Sequence, residues 1–339
     1  MVAVTGASGF VGSYLVSHLI TKGHQIKAFK QANSELKVFN FVAKDIYHIT
    51  DEQINKQVKW VNIDVLDIHA LDEELEGVST VYHCAAVVSF SPKHAELMNQ
   101  INIEGTANVV NACLKNKVGK LIYCSSTAAI GKITENKSLV DEECEWSESD
   151  NNTLYSESKH WAELEVWRGI EEGLNAVIVN PSIILGAGDW NKGTCRLFTN
   201  IAKGQKFYTL GVNGYVGVKD VVNIMVALAE SDIHSERFLL VSENISFKSL
   251  FDKMSTHLQA PFTSIELKKG IYKWIKPLVY LYSYLSPKVS ITPETIAKSL
   301  EKTEFSHRKI KQAINYTFQS IEGVIEETSK WYMLQNKKR

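Results

Sequence analysis

Tyr155 and Lys159, in the run Tyr155-Ser156-Glu157-Ser158-Lys159, lie four residues apart in a segment of helical pattern, so one helix face carries both. An ammonium beside a phenol favours the phenolate and draws a group of ordinary pKa about 10 toward proton exchange near neutral pH. The phenol then becomes a usable acid or base. The same spacing is common on helix surfaces, so the pair gains meaning only if other groups converge on it. One such group is the turn Thr5-Gly6-Ala7-Ser8-Gly9-Phe10-Val11-Gly12, with glycines at three-residue intervals between a strand and a helix start. Backbone N–H groups and the positive helix end there face an anion, and the missing side chains permit close approach. The spacing is G-x-x-G-x-x-G rather than the commoner G-x-G-x-x-G. A third group, Ser125-Ser126-Thr127, ends a strand at the carboxyl edge, where open parallel sheets place their ligands.

The elements that position these groups follow from apolar periodicity. Strands are predicted at Val2 to Val4, Gln25 to Phe29, Val58 to Ile63, Thr80 to Cys84, Lys120 to Ser125 and Ala176 to Asn180. Helices are predicted at Phe10 to Thr21, Ile68 to Leu75, Ala95 to Lys117 and Thr153 to Glu172. This alternation implies an α/β fold with a doubly wound parallel sheet. Past Pro181 the pattern becomes irregular and glycine-punctuated, apart from a helix at Val221 to Ala229 and a strand at Phe238 to Val241. A smaller appended domain is expected there. The insertion Lys44 to Gln57 lengthens the connection between the second and third strands beyond the usual few residues, and nothing in its composition assigns it a role.

The 339 residues, 45% hydrophobic and 22% charged, can bury a sizeable core. A net charge of −1 provides no global attraction to nucleic acid or an anionic membrane. The cysteines, Cys84, Cys113, Cys124, Cys144 and Cys195, are odd in number and widely spaced, without C-x-x-C, which speaks against a disulfide framework and a metal site. The first ten residues are already a strand and a glycine turn, so no secretory leader is expected and a cytoplasmic location is predicted. Gly270 to Leu285 is aromatic and apolar but is interrupted by Lys273, Lys276 and Pro277, too short for the roughly 20 residues of a spanning helix. It reads as pocket lining or core in preference to a membrane-surface segment.

Taken in order, Gly6-x-x-Gly9-x-x-Gly12, Asp64-Val65-Leu66-Asp67, His83-Cys84-Ala85-Ala86, Asn102-Ile103-Glu104-Gly105-Thr106, Ser125-Ser126, Tyr155-x-x-x-Lys159 and Asn180-Pro181-Ser182 resemble the extended short-chain dehydrogenase/reductases, also called NAD(P)-dependent epimerase/dehydratases. The match covers about the first 190 residues, and its specificity lies in the ordered co-occurrence of motifs that are individually weak. The resemblance implies a Rossmann-type cofactor domain over 1–180, with 219–242 returning to it, and a mainly substrate-binding domain over 181–339. It further implies hydride exchange between a nicotinamide cofactor and a substrate carbon, with Tyr155 moving the proton and Lys159 lowering its pKa and binding the nicotinamide ribose. Ser126, five residues before Gly131, is the implied substrate-orienting hydroxyl, with Ser125 and Thr127 as alternatives.

For the cofactor, the resemblance implies Gly6, Gly9, Phe10, Val11 and Gly12 at the phosphates and Asp64 with Val65 at the adenine. Ala85 and Ala86 would line the cleft, and Pro181, Ile183 and Ile184 would flank the nicotinamide, beside Tyr155 and Lys159. Asn102, Asp220 and His83 are expected to be structural. The second strand ends Phe29-Lys30-Gln31-Ala32-Asn33-Ser34, with no carboxylate before Glu35 to take a ribose 2′-hydroxyl. Lys30, with Lys37 or Ser34, instead suits a 2′-phosphate, so NADP is favoured over NAD. Nucleotide-sugar relatives carry an arginine where this chain has Asn213-Gly214, and often one where it has Asn180. Lacking these bidentate diphosphate partners, the chain suits a less charged, apolar ketone or aldehyde, as in reductases of the dihydroflavonol 4-reductase and 3β-hydroxysteroid dehydrogenase kind. A nucleotide-sugar epimerase or dehydratase, or a non-catalytic NAD(P) sensor, is the alternative. The implied partner is a small molecule, and a homodimer is allowed.

Overall fold

Strands flanked by helices build the layers that the apolar pattern predicts. The computed structural model describes residues 1–131, 138–148, 152–270, 272, 274, 276, 277, 279 and 292–337. Its first part runs β1 (Val2–Thr5), α1 (Phe10–Thr21), β2 (Ile26–Lys30), α2 (Lys37–Phe41), α3 (Asp51–Gln57), β3 (Val58–Asn62), α4 (Ile68–Leu75), β4 (Thr80–His83), α5 (Ala95–Met98), α6 (Gly105–Lys115), β5 (Lys120–Cys124), α7 (Leu154–Glu171) and β6 (Ala176–Pro181). There follow β7 (Ile183–Leu185), α8 (Cys195–Ala202), β8 (Phe207–Tyr208), β9 (Val212–Gly217), α9 (Val218–Glu230), β10 (Glu236–Leu240), β11 (Glu243–Ser246), α10 (Phe247–Leu258), β12 (Ile265–Glu266), α11 (Pro293–Ser299), α12 (Arg308–Ile314) and α13 (Ile321–Lys337).

Seven strands form one sheet in the order β10-β6-β5-β4-β1-β2-β3, and every pairing in it is parallel. The order reverses between β1 and β4, so the crevice at their carboxyl ends is the natural ligand site of this topology. Side chains alternate between two helical layers. Val4, Tyr82, Ile122, Val177 and Val179 pack with α1 and α9, while Ala3, Val81, Leu121, Tyr123 and Ile178 pack with α4, α6 and α7. Burial on both faces explains why the central strands read as unbroken apolar runs.

The helix expected over 95–117 is interrupted. α5 and α6 are joined by a π-helical turn, Asn99–Glu104, that turns Asn102 inward. Its Nδ2 donates to the Val87 carbonyl and to Ser158 Oγ at 3.0 Å each, and its Oδ1 accepts from Val87 N at 2.7 Å. Asn102 thus ties the loop after β4 to α7.

β10 pairs with β6 from Glu236↔Val177 to Leu240↔Pro181, and α9 packs against α1, so the segment 218–240 completes the main sheet. The rest of the C-terminal part carries a three-stranded sheet, β11-β9-β7, and the short β12-β8 pair. Asp220 clamps this part to α9, accepting from Tyr316 Oη at 2.8 Å and Gln319 N at 3.3 Å. The insertion after β2 extends the α1 layer. α3 starts with a Thr50/Gln53 capping box, Ile49 and Ile54 are buried, and Tyr47 meets Tyr14 edge-on. Among the described residues no helix is long and apolar enough to cross a membrane. The stretch 270–285 falls largely outside the described residues.

Candidate active site

α7 is fixed at its start by a capping box in which Ser156 N donates to Thr153 Oγ1 at 3.0 Å and Thr153 N donates to Ser156 Oγ at 2.8 Å. This sets the first turn, which carries Tyr155, and Lys159 follows one turn on. Lys159 is only 2% exposed, and its Nζ donates to Tyr123 Oη at 2.8 Å and to the Cys124 carbonyl at 3.0 Å. The Tyr155 ring meets Phe90 edge-on at 5.8 Å, and its hydroxyl lies near Ser126. Burial raises the Tyr155 phenol above its ordinary pKa, while Lys159 and the neighbouring Ser126 hydroxyl pull it down. Lys159 therefore acts in the expected direction, but desolvation outweighs it, and the net displacement is upward rather than toward neutrality.

The adjacent serines have different partners. Ser125 donates to Glu163 Oε2 at 2.7 Å, whereas Ser126 Oγ accepts from Ala128 N at 3.1 Å in the turn after β5 and meets Tyr155. Asn180 is fully buried, and its Nδ2 donates to Glu163 Oε2 at 2.7 Å and to the Ser126 carbonyl at 3.0 Å. The amide is thus committed to holding the Ser126 turn, so the loss of a cation at this position bears on packing and not on a ligand's charge.

In the glycine turn, Gly6 has φ +64°, and a Cβ there would stand 2.7 Å from Ala85 N. Gly12 is equally constrained, because a Cβ would fall 2.2 Å from the Gly6 carbonyl oxygen. At Gly9 a Cβ would meet only that oxygen, at 3.1 Å, and the residue is exposed. Gly9 is the N-cap of α1, without a side-chain cap and without an acid in the first turn, so the first-turn amides, Phe10 and Val11 among them, have no side-chain oxygen capping them. The Phe10 ring packs where Gly186 and Gly188 leave room and meets Tyr14 edge-on.

The other expected residues lie along the same carboxyl edge. Lys30 ends β2, with Nζ 3.4 Å from the Gln31 carbonyl and 3.5 Å from that of Ala32, both long for hydrogen bonds. Lys37 pairs with Glu35 at 2.8 Å on the exposed surface. Asp64 follows β3, exposed, its Oδ1 accepting from Leu66 N at 3.0 Å. The Val65 side chain is buried against Gly105. Ala85 N donates to Thr5 Oγ1 at 3.1 Å, and Ala86 is exposed. Pro181 closes β6, while Ile183 and Ile184 are half-buried in β7, where the Ile184 carbonyl accepts from Thr194 Oγ1 at 2.6 Å.

This assembly matches known proteins along most of its length. The sequence model of the NAD dependent epimerase/dehydratase family matches residues 2–240. The chain belongs to this family. Cinnamoyl-CoA reductase 1 of Petunia hybrida is 30% identical over 249 residues, spanning 70% of this chain and 72% of the relative. Dihydroflavonol 4-reductase of Arabidopsis thaliana is 24% identical over 342 residues, spanning 96% and 80%. The solved structure of gox2253 superposes with a TM-score of 0.80 at 28% identity, covering 99% of each chain. The protein is an NAD(P)-dependent oxidoreductase of the extended short-chain dehydrogenase/reductase type.

The residues present fit the family's cofactor. The uncapped α1 N-terminus and the exposed Gly9 suit a diphosphate, and the fully packed Gly6 and Gly12 hold that turn against β4 and α1. Several partners in this family member escaped the sequence patterns. Phe90 comes from an irregular loop, Arg237 reaches Glu163 Oε1 at 3.2 Å from β10, and Tyr123 carries the oxygen that meets Lys159.

Proposed function

We propose that this enzyme is a carbonyl reductase that prefers NADP(H) and turns a small apolar ketone or aldehyde into the alcohol, with Ser126, Tyr155 and Lys159 as its catalytic residues. The observation that carries this reading is the buried Lys159 ammonium, held by Tyr123 Oη and the Cys124 carbonyl one helical turn from Tyr155, at the strand end that carries Ser126. A bound nicotinamide supplies the hydride, which no side chain can provide. Ser126 and Tyr155 both present hydroxyls to the substrate oxygen. As that oxygen gains negative charge, the Tyr155 proton moves to it. The phenol, raised by burial, is protonated at neutral pH, which is the state this direction requires. Lys159 offsets the phenolate charge that results and holds the ribose.

Lys30 is the residue that favours NADP(H). Its ammonium makes only long contacts to loop carbonyls, and the first acid beyond it, Glu35, is paired with Lys37. A 2′-phosphate would give Lys30 a charge-assisted contact worth roughly 1.5 to 3 kcal/mol. Lys30→Asp should therefore shift the ratio of NADPH to NADH affinity by about tenfold or more toward NADH. The substrate domain is assigned to the C-terminal part outside 218–240, where Asn213-Gly214 brings no arginine toward a diphosphate and Asn213 Oδ1 accepts from Gly214 N. Of the substrates in its relatives' names, the uncharged dihydroflavonol, rather than the charged cinnamoyl-CoA thioester, exemplifies the class proposed for this chain.

A screen of ketones, aldehydes and nucleoside-diphosphate sugars with NADPH and NADH tests the reading. Stoichiometric consumption of NADPH with a carbonyl compound is expected. Turnover of a sugar nucleotide without net cofactor consumption would overturn it.

A further inference from the structure

The network behind Lys159 contains a residue with no assigned role. Tyr123, in β5, is 1% exposed, its hydroxyl accepts from Lys159 Nζ at 2.8 Å, and Thr106 lies close by. Thr106 Oγ1 lies 2.6 Å from the Asn102 carbonyl, which can only accept, so the single Thr106 hydrogen points there. His83 Nε2, 2.9 Å from the same Thr106 oxygen, must then donate, which leaves His83 Nδ1 to accept from Thr5 Oγ1 at 2.7 Å. Thr5 Oγ1 in turn accepts from Cys84 N and Ala85 N at 3.2 and 3.1 Å. Each hydrogen in the chain thus has one direction, and the chain terminates at a backbone carbonyl.

Beside this directed chain, Tyr123 Oη and the Cys124 carbonyl hold the Lys159 ammonium. Lys159 has three hydrogens, and two are committed, to Tyr123 Oη and to the Cys124 carbonyl. Tetrahedral geometry then fixes the direction of the third. The ammonium also stands 4.5 Å from the Tyr123 ring centroid, and that ring stacks on His83 at 5.4 Å and 27°. The far end of the network, Thr5, immediately precedes Gly6 of the glycine turn.

We infer that Tyr123 is a positioning residue, whose hydroxyl, on a ring stacked against His83, aims the Lys159 ammonium at the cofactor ribose. This rests on the assignment of Lys159 to the cofactor. A double-mutant cycle on NADPH affinity, read by fluorescence titration, separates the two claims. Tyr123→Phe should weaken NADPH binding by about three- to tenfold, the worth of one net hydrogen bond. In a Lys159→Met background the same substitution should have no effect, because there is no ammonium left to aim. An equal loss in both backgrounds, or no loss in the first, would overturn the positioning role while leaving Lys159 at the cofactor. Unchanged affinity in Lys159→Met alone would overturn both. The wild-type chain provides a readout that does not depend on a variant folding. In lysine-labelled NMR the Lys159 ammonium should give a slowly exchanging signal with a through-space contact to the Tyr123 ring. An ammonium in fast exchange with water, without that contact, would refute the inference.

Discussion

Ser125 donates its hydroxyl hydrogen to the buried Glu163 carboxylate at 2.7 Å, which commits it to the interior and leaves Ser126 as the hydroxyl beside Tyr155. The substitutions at these adjacent positions should therefore fail in different ways. Ser125→Ala removes one donor from a carboxylate that is 2% exposed, and is expected to cost about 1 to 3 kcal/mol of stability with turnover little changed. Ser126→Ala is expected to lower turnover about 10²-fold, as one oxygen-directed donor is lost. Urea unfolding and steady-state kinetics on both variants check this. A larger loss of turnover in Ser125→Ala than in Ser126→Ala would reverse the assignment.

The three glycines of the first turn should likewise separate. Gly9→Val should fold but lose NADPH binding, since its side chain would enter the open side of the turn where the diphosphate must approach. Gly12→Ala should instead destabilise the fold by about 1 to 3 kcal/mol, because its Cβ would collide with the Gly6 carbonyl. Thermal unfolding with and without NADPH distinguishes the two outcomes. Intact NADPH stabilisation of Gly9→Val would contradict the phosphate-site assignment.

His83 should make stability depend on pH. Burial, with a smaller contribution from Lys159, depresses its imidazole to about 3, so it is neutral in the folded protein. Unfolded, it protonates near 6.5. Between these values the unfolded chain binds one proton more, so stability falls as pH drops from about 6.5 toward 3, by roughly 1.4 kcal/mol per pH unit from this residue. His83→Asn should flatten the slope of unfolding free energy against pH by about that amount. An unchanged slope would show that His83 titrates normally.

Much of this architecture was legible in the chain. α1 and α4 begin and end where the apolar spacing places them: α1 follows directly on the glycine turn and is buried on most of its surface, and Asp67 caps α4, whose Leu71 and Leu75 face the core. The 95–117 segment kept its helical periodicity across the π-helical turn, so the inward rotation of Asn102 had no local signature. The sequence separates Ser126 from Ser125 only through the resemblance, by the spacing to Gly131. What distinguishes them is Glu163, on α7, together with Asn180, on β6, and only the folded sheet brings these together. The direction of the Tyr155 shift was misjudged from spacing alone, since spacing reports the Lys159 charge but not the burial that outweighs it. Tyr123 lies in a strand whose apolar pattern explained its presence without its hydroxyl.

In the proposed mechanism Tyr155 moves the proton and is not needed for cofactor affinity, and one paired measurement separates the two roles. NADPH affinity and single-turnover reduction of a carbonyl substrate should be measured on the same preparations of wild type and Tyr155→Phe. Affinity within a factor of about two to three of wild type and a reduction rate lower by about 10² to 10⁴ are expected. A Tyr155→Phe enzyme that reduces the substrate at a rate near that of the wild type would contradict this mechanism.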